Sequence, residues 1–234
     1  MSVRSLRIVA LAGLLVSVAA AASAHVAISS GPAFAGGRAV VSFGVGHGCE
    51  GADTAAIDVQ IPEEITSVRG VPNIFGEADV VTDDTDAPTN VVWTKDSVRD
   101  ADDQYYTMQI RITVPETPFT VLHFKVKQTC KDAEGEEYVT DWAALPGDEP
   151  SEGEDEAPPA ASLVILPARA AGWNKYTVPE ELTDLATFFG DAQIVWAGDA
   201  AYSANPTTSE MIEDEDGVDT LSKIEADAEI WVKY

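Results

Sequence analysis

Apolar and polar residues alternate along most of the chain. In 55–62, Ile57, Val59 and Ile61 fall on one face, and in 105–115 Met108, Ile110, Ile112 and Val114 do the same. A period of two is the signature of a half-buried strand. Residues 38–46, 89–95, 119–130, 137–145 and 161–167 repeat the pattern, and Pro, Gly and Asp clusters separate the runs. Seven short strands joined by turns predict an all-β fold, an antiparallel β-sandwich of immunoglobulin-like or cupredoxin-like type. No G-x-G-x-x-G, phosphate loop or strand–helix alternation points to an α/β fold.

After Pro167 the pattern changes. Residues 178–191, "VPEELTDLATFFGD", predict a helix: Pro179 suits its first turn, Glu180 and Glu181 suit the positive dipole end, and Gly190 is the stop. Residues 192–198 and 228–234 read as strands around a polar loop. The tail 168–234 is expected to be a small α+β C-terminal extension or a hairpin added to the sandwich. Residues 148–160 are acidic and Pro-rich and predict a solvated loop. The acidic tracts 83–86 and 213–216 lack the ordered spacing of an EF-hand and are expected to be solvated loops too.

The first 24 residues have a different character. Arg4 and Arg7 precede an apolar run, 8–20, which ends at Ala22-Ser23-Ala24. A basic start, a short apolar stretch and small residues are the parts of a cleavable signal peptide, here 1–24, cut after Ala24. The run is too short for a comfortable membrane span. The expectation is a periplasmic or secreted protein with no stable membrane anchor in the mature chain. The sandwich would occupy 25–167 and the extension 168–234.

Charge narrows the partners. The formal net charge is −26, and loss of Arg4 and Arg7 makes it −28. Such a surface repels nucleic acid and anionic lipid and concentrates cations.

Two cysteines are present, Cys49 and Cys130. Outside the cytoplasm an even pair reads as a disulfide, with a thiolate metal site as the alternative. A bridge would close a loop of roughly eighty residues and stabilise by roughly 4 kcal/mol in the chain-entropy model.

Cleavage after Ala24 makes His25 the first residue. An α-amine beside its own imidazole forms a small chelate ring, and nitrogen donors of this kind suit Cu(II). His47, two residues before Cys49, is either a ligand or a polar neighbour of the bridge. His123, mid-run in "VLHFKV", reads as a satisfied sheet histidine. Trp142 is either core packing or an indole lid over a cationic centre.

In combination these segments resemble a family. "HVAI", "FGVGHGCEG", "AAIDVQIPEEI", "VVWT", "FKVKQTC" and "TDWAALPG" follow in order the pattern of the YcnI-like copper-binding domain. The resemblance covers about 25–167 and leaves 168–234 outside it. It implies an exported β-sandwich that binds Cu(II) at its mature N-terminal histidine, with a Trp and a carboxylate nearby. His25 matches the histidine and Trp142 the Trp. Asp102, Asp103 or Gln104 stands at the carboxylate position before the Tyr-rich strand, with the two aspartates as the candidates to fill it, and Asp141 is the other candidate.

The expected function is an exported copper chaperone or buffer in copper homeostasis rather than an enzyme. Its partners would be the copper ion and a copper transporter or another extracytoplasmic copper protein. A copper-dependent oxygenase, needing a second histidine from His47 or His123, and a metal-free interaction module are the alternatives.

Overall fold

The computed structural model describes residues 25–149 and 157–234. The proposed signal segment, 1–24, and residues 150–156 of the acidic stretch lie outside the described residues. In chain order the first unit contains β1 (Ala27–Ile28), β2 (Ala33–Phe34), β3 (Arg38–Val45), β4 (Asp53–Gln60), β5 (Val68–Val71) and β6 (Ala78–Thr82). It continues with β7 (Pro88–Thr94), β8 (Tyr106–Thr113), β9 (Thr120–Phe124), β10 (Val126–Lys131), β11 (Glu137–Trp142) and β12 (Ala161–Leu166). The tail adds β13 (Trp173–Thr177), α1 (Leu185–Phe189), β14 (Ile194–Ala197), β15 (Ala200–Tyr202), α2 (Pro206–Asp214), β16 (Asp219–Thr220) and β17 (Glu229–Lys233).

Three sheets enclose the first core. Their strand orders are β1-β3-β8-β5, β11-β10-β4-β7-β6 and β2-β12-β9. Their inner faces supply Phe43, Met108 and Ile110 from the first, Ile57, Val59 and Trp93 from the second, and Phe124, Leu163 and Ile165 from the third. The fold is thus a β-sandwich built mainly of antiparallel pairs, as the alternation predicted.

One predicted run divides. Residues 119–130 are two strands: β9 pairs with β12, whereas β10 pairs with β4 and β11. Lys125 is the step between sheets. The apolar alternation passes through this corner unchanged, because Leu122, Phe124 and Val126 all enter one core.

The tail has its own core and a five-stranded sheet, β13-β17-β14-β15-β16. Phe119, Leu166, Val121 and Val164 of the sandwich pack into that core against Phe188, Phe189 and Ile224. The predicted helix is shorter than expected. Val178 exchanges backbone bonds with Ala228 and Asp227, and Leu182 with Ile224, so the chain is tied to its neighbours before Asp184 caps α1. Helix α2 was not foreseen. Its signal is Asn205-Pro206, a side-chain cap followed by proline at the first turn. Its last residues, Glu213 and Asp214, belong to the tract read as a loop. The predicted loop 148–160 is likewise pinned at its end, where Ala160 is buried and bonds Ala144. Among the described residues no helix is long and apolar enough to cross a membrane.

Candidate metal centre

His25 stands just ahead of β1. That strand pairs with β3, with Ala27 opposite Gly44 and Ile28 opposite Phe43. Val26 is buried, which fixes the chain immediately after the histidine. Trp142 is the last residue of β11. The His25 and Trp142 rings meet edge to face, with centroids 5.7 Å apart and planes at 65°. Two residues 117 positions apart in sequence are thereby joined at one end of the sandwich.

Trp142 is itself anchored. Its indole N–H donates to Gln128 Oε1 at 3.0 Å. The Gln128 amide donates to the His47 carbonyl at 2.7 Å and to Thr54 Oγ1 at 2.9 Å. Gln128 is 1% exposed and Trp142 7%. Val126 is the direct partner of Trp142 across the ladder, so Gln128 is its diagonal neighbour on the same face. A buried amide with its oxygen and nitrogen both engaged holds the indole in one orientation.

The disulfide Cys49–Cys130 spans 81 residues and ties the loop after β3 to β10. Gly48 has no alternative within this loop: a Cβ there would lie 1.7 Å from the Ala52 carbonyl oxygen and 3.3 Å from Asp102 Cγ. Asp102 therefore packs against the backbone between His47 and Cys49. Its Oδ1 is buried with no hydrogen-bond partner. Of the two neighbouring aspartates, this one is turned inward.

The other candidates behave differently. Asp103 is exposed and paired with Arg99, at 3.0 Å to Nε and 3.2 Å to a terminal nitrogen. The Arg99 guanidinium, helped by Gln104, holds its carboxyl below the ordinary aspartate range. Asp141 is exposed on β11 beside Trp142, and strand alternation turns it to the opposite face. The exposed His47 imidazole bonds the Gly48 carbonyl through Nδ1, so its backbone rather than its ring joins the Gln128 network. His123 Nδ1 lies 3.1 Å from Oγ of Ser162, its cross-strand partner on β12, and burial pushes its imidazole down.

The "FKVKQTC" segment carries Gln128 as well as Cys130. Gln128 was legible: it is two residues from Cys130 and so shares its inward face. Asp53 was also missed. It is buried, ion-paired with Lys95, and accepts bonds from the Tyr106 hydroxyl at 2.8 Å and the Arg99 amide at 2.7 Å.

Among the described residues no three His, Cys, Asp or Glu side chains converge on a point. The fold and this end cluster define a disulfide-pinned β-sandwich whose entry strand begins against a buried tryptophan.

That class has a known representative family. The model described as "Domain of unknown function (DUF1775)" matches residues 25–165, and the chain belongs to this family, the one its YcnI-like motifs pointed to. Comparison with curated proteins finds no match. Among solved structures, an uncharacterized protein from Nocardia farcinica with an immunoglobulin-like fold is 28% identical, with a TM-score of 0.48. The match covers 61% of this chain and 99% of that one. A DUF4466 family protein from Parabacteroides merdae is 10% identical over 67% of this chain and 45% of that one, with a TM-score of 0.21.

Proposed function

We propose that the mature protein binds one Cu(II) ion through the α-amine and imidazole of His25 and serves outside the cytoplasm as a copper chaperone or buffer. The observation that carries this reading is the His25–Trp142 ring pair, with Trp142 locked by Gln128. The family match starting at His25, directly after the small-residue motif, supports cleavage there.

The donor chemistry fits. An amine and an imidazole are nitrogen ligands, which suit Cu(II), the strongest binder among the divalent first-row ions. A two-donor chelate needs no cluster of side chains. The Asp102 carboxylate has a buried oxygen without a hydrogen-bond partner and packs against Gly48, beside the His47 carbonyl that Gln128 binds. The Trp142 indole excludes water on one side and presents its electron-rich ring to a cation. The acidic surface, −26 overall, raises the local concentration of cations.

We propose no oxygenase activity. A second histidine would have to come from His47, whose ring turns back to its own loop at Gly48, or His123, which pairs with Ser162 on the β9–β12 ladder. Release to a copper transporter or another extracytoplasmic copper protein is the role this half-buried, two-toothed grip suits.

Calorimetric titration of the mature chain tests the reading. One Cu(II) per chain is expected, with tryptophan emission quenched as copper arrives beside Trp142. His25→Ala should abolish binding. Unchanged stoichiometry and affinity in that variant would remove the proposal. Both donors must be deprotonated, so affinity should fall as pH drops below the α-amine range of about 8.

A further inference from the structure

Three of the five tryptophans lie on the outer face of the C-terminal sheet. Strands β13, β17 and β14 are consecutive neighbours there. Tyr176, Ile230, Val232 and Val195 point inward to the second core, so alternation turns Trp173, Trp231 and Trp196 outward. Register places Trp231 directly opposite both Trp196 and Lys175, and Trp173 one diagonal step away, opposite Lys233. Trp173 is 52% exposed and Trp231 49%, with Trp196 partly buried beside them. Three aligned indoles make a contiguous exposed aromatic patch, the kind of surface that is often functional.

The surroundings restrict the occupant. Residues 168–234 hold fourteen acidic against four basic side chains, which disfavours nucleic acid and anionic membrane. Two half-exposed indoles and a third partly covered one offer at most a few hundred Å², below the roughly 800 Å² per partner of a stable dimer. An uncharged ligand pays no electrostatic penalty at this surface. Lys175, 5.9 Å from the centre of the Trp231 ring, supplies donors at the rim, and its ion-pair partner Glu229 supplies acceptors. Aromatic faces framed by such groups match pyranose rings, which show C–H bonds on their faces and hydroxyls around their edges. The three indoles sit on adjacent strands about 4.8 Å apart, so the strip crosses the sheet and suits a flat, extended chain of such rings.

We propose that this face binds a neutral β-1,4-linked polysaccharide by stacking sugar rings on Trp173, Trp231 and Trp196. The site is separate from the copper reading and does not rest on it.

The mature chain is tested by sedimentation with microcrystalline cellulose and with chitin, and by tryptophan emission on addition of cellohexaose or chitohexaose. Retention on at least one polymer and a shift in emission are expected. Trp231→Ala and Trp173→Ala should each weaken retention about ten-fold, the loss of one stacking contact, while Trp231→Phe keeps most of it. Thermal unfolding checks that the variants remain folded, as outward-facing side chains predict. His25→Ala should bind polymer like the parent. The proposal is overturned by no retention on either polymer, or by alanine variants that bind as the parent does. It is equally overturned if Trp231→Ala instead abolishes a dimer seen by light scattering or binding to phosphatidylcholine vesicles.

Discussion

Gln128 shows how much one side chain can organise. It joins Trp142, the His47 carbonyl and Thr54. Gln128→Leu would leave the indole N–H and the Thr54 hydroxyl buried without partners, at about 1–3 kcal/mol each. We expect this variant to unfold at clearly lower temperature and to bind Cu(II) more weakly, both measurable on one preparation. Asp53 governs acid sensitivity. Burial alone would raise its carboxyl, but the Lys95 ammonium, the Arg99 amide and the Tyr106 hydroxyl outweigh that and hold it below the ordinary aspartate value. A depressed folded value contributes stability that is full above the unfolded value, near 3.8, and is lost as pH falls through the folded one. Asp53→Asn should cost about 3 kcal/mol at neutral pH, since it breaks a buried pair. Its denaturation midpoint should fall less steeply than the parent's below about pH 4. His25, Trp142 and the two cysteines were legible as candidates because rare residue types stood at motif positions. The inward turn of Asp102 against the outward turn of Asp103 was not, because it depends on Arg99 capturing one and Gly48 admitting the other.

Strands were legible wherever one face is buried and the other wet, as in β4 and β8. Short strands such as β1 and β2, two residues each, carry too little alternation to read. The corner at Lys125 was hidden because both flanking strands feed the same core. In the tail, local helix signals over 178–184 lost to backbone pairing with residues 224–228, a tertiary contact that no local pattern encodes. The disulfide links the loop after β3 to β10 across 81 residues. Replacing both cysteines, Cys49→Ser with Cys130→Ser, should lower stability by roughly 4 kcal/mol in chemical denaturation. It should also speed amide exchange in residues 46–52, where the pinning is lost.

The two cores meet through Phe119, whose ring packs against Tyr176, Phe188 and Phe189 at centroid distances of 5.7, 6.0 and 5.5 Å. Because a sandwich residue fills the core of the tail, the two units should unfold together. Phe119→Ala is expected to cost about 3–5 kcal/mol and to separate one calorimetric transition into two. The family match stops at residue 165, at the border of this second core. The acidic composition foretold which partners are repelled, but it did not locate the tryptophan face, which exists only once β13, β17 and β14 align. Whether the molecule handles copper depends on a group that only cleavage after Ala24 creates. The decisive measurement compares Cu(II) titrations, followed by electron paramagnetic resonance, of the mature chain beginning at His25 and of the same chain acetylated at its α-amine. One nitrogen-ligated copper per chain before acetylation, and none at the same concentrations after it, is the predicted result. An identical copper signal from both samples would contradict the account.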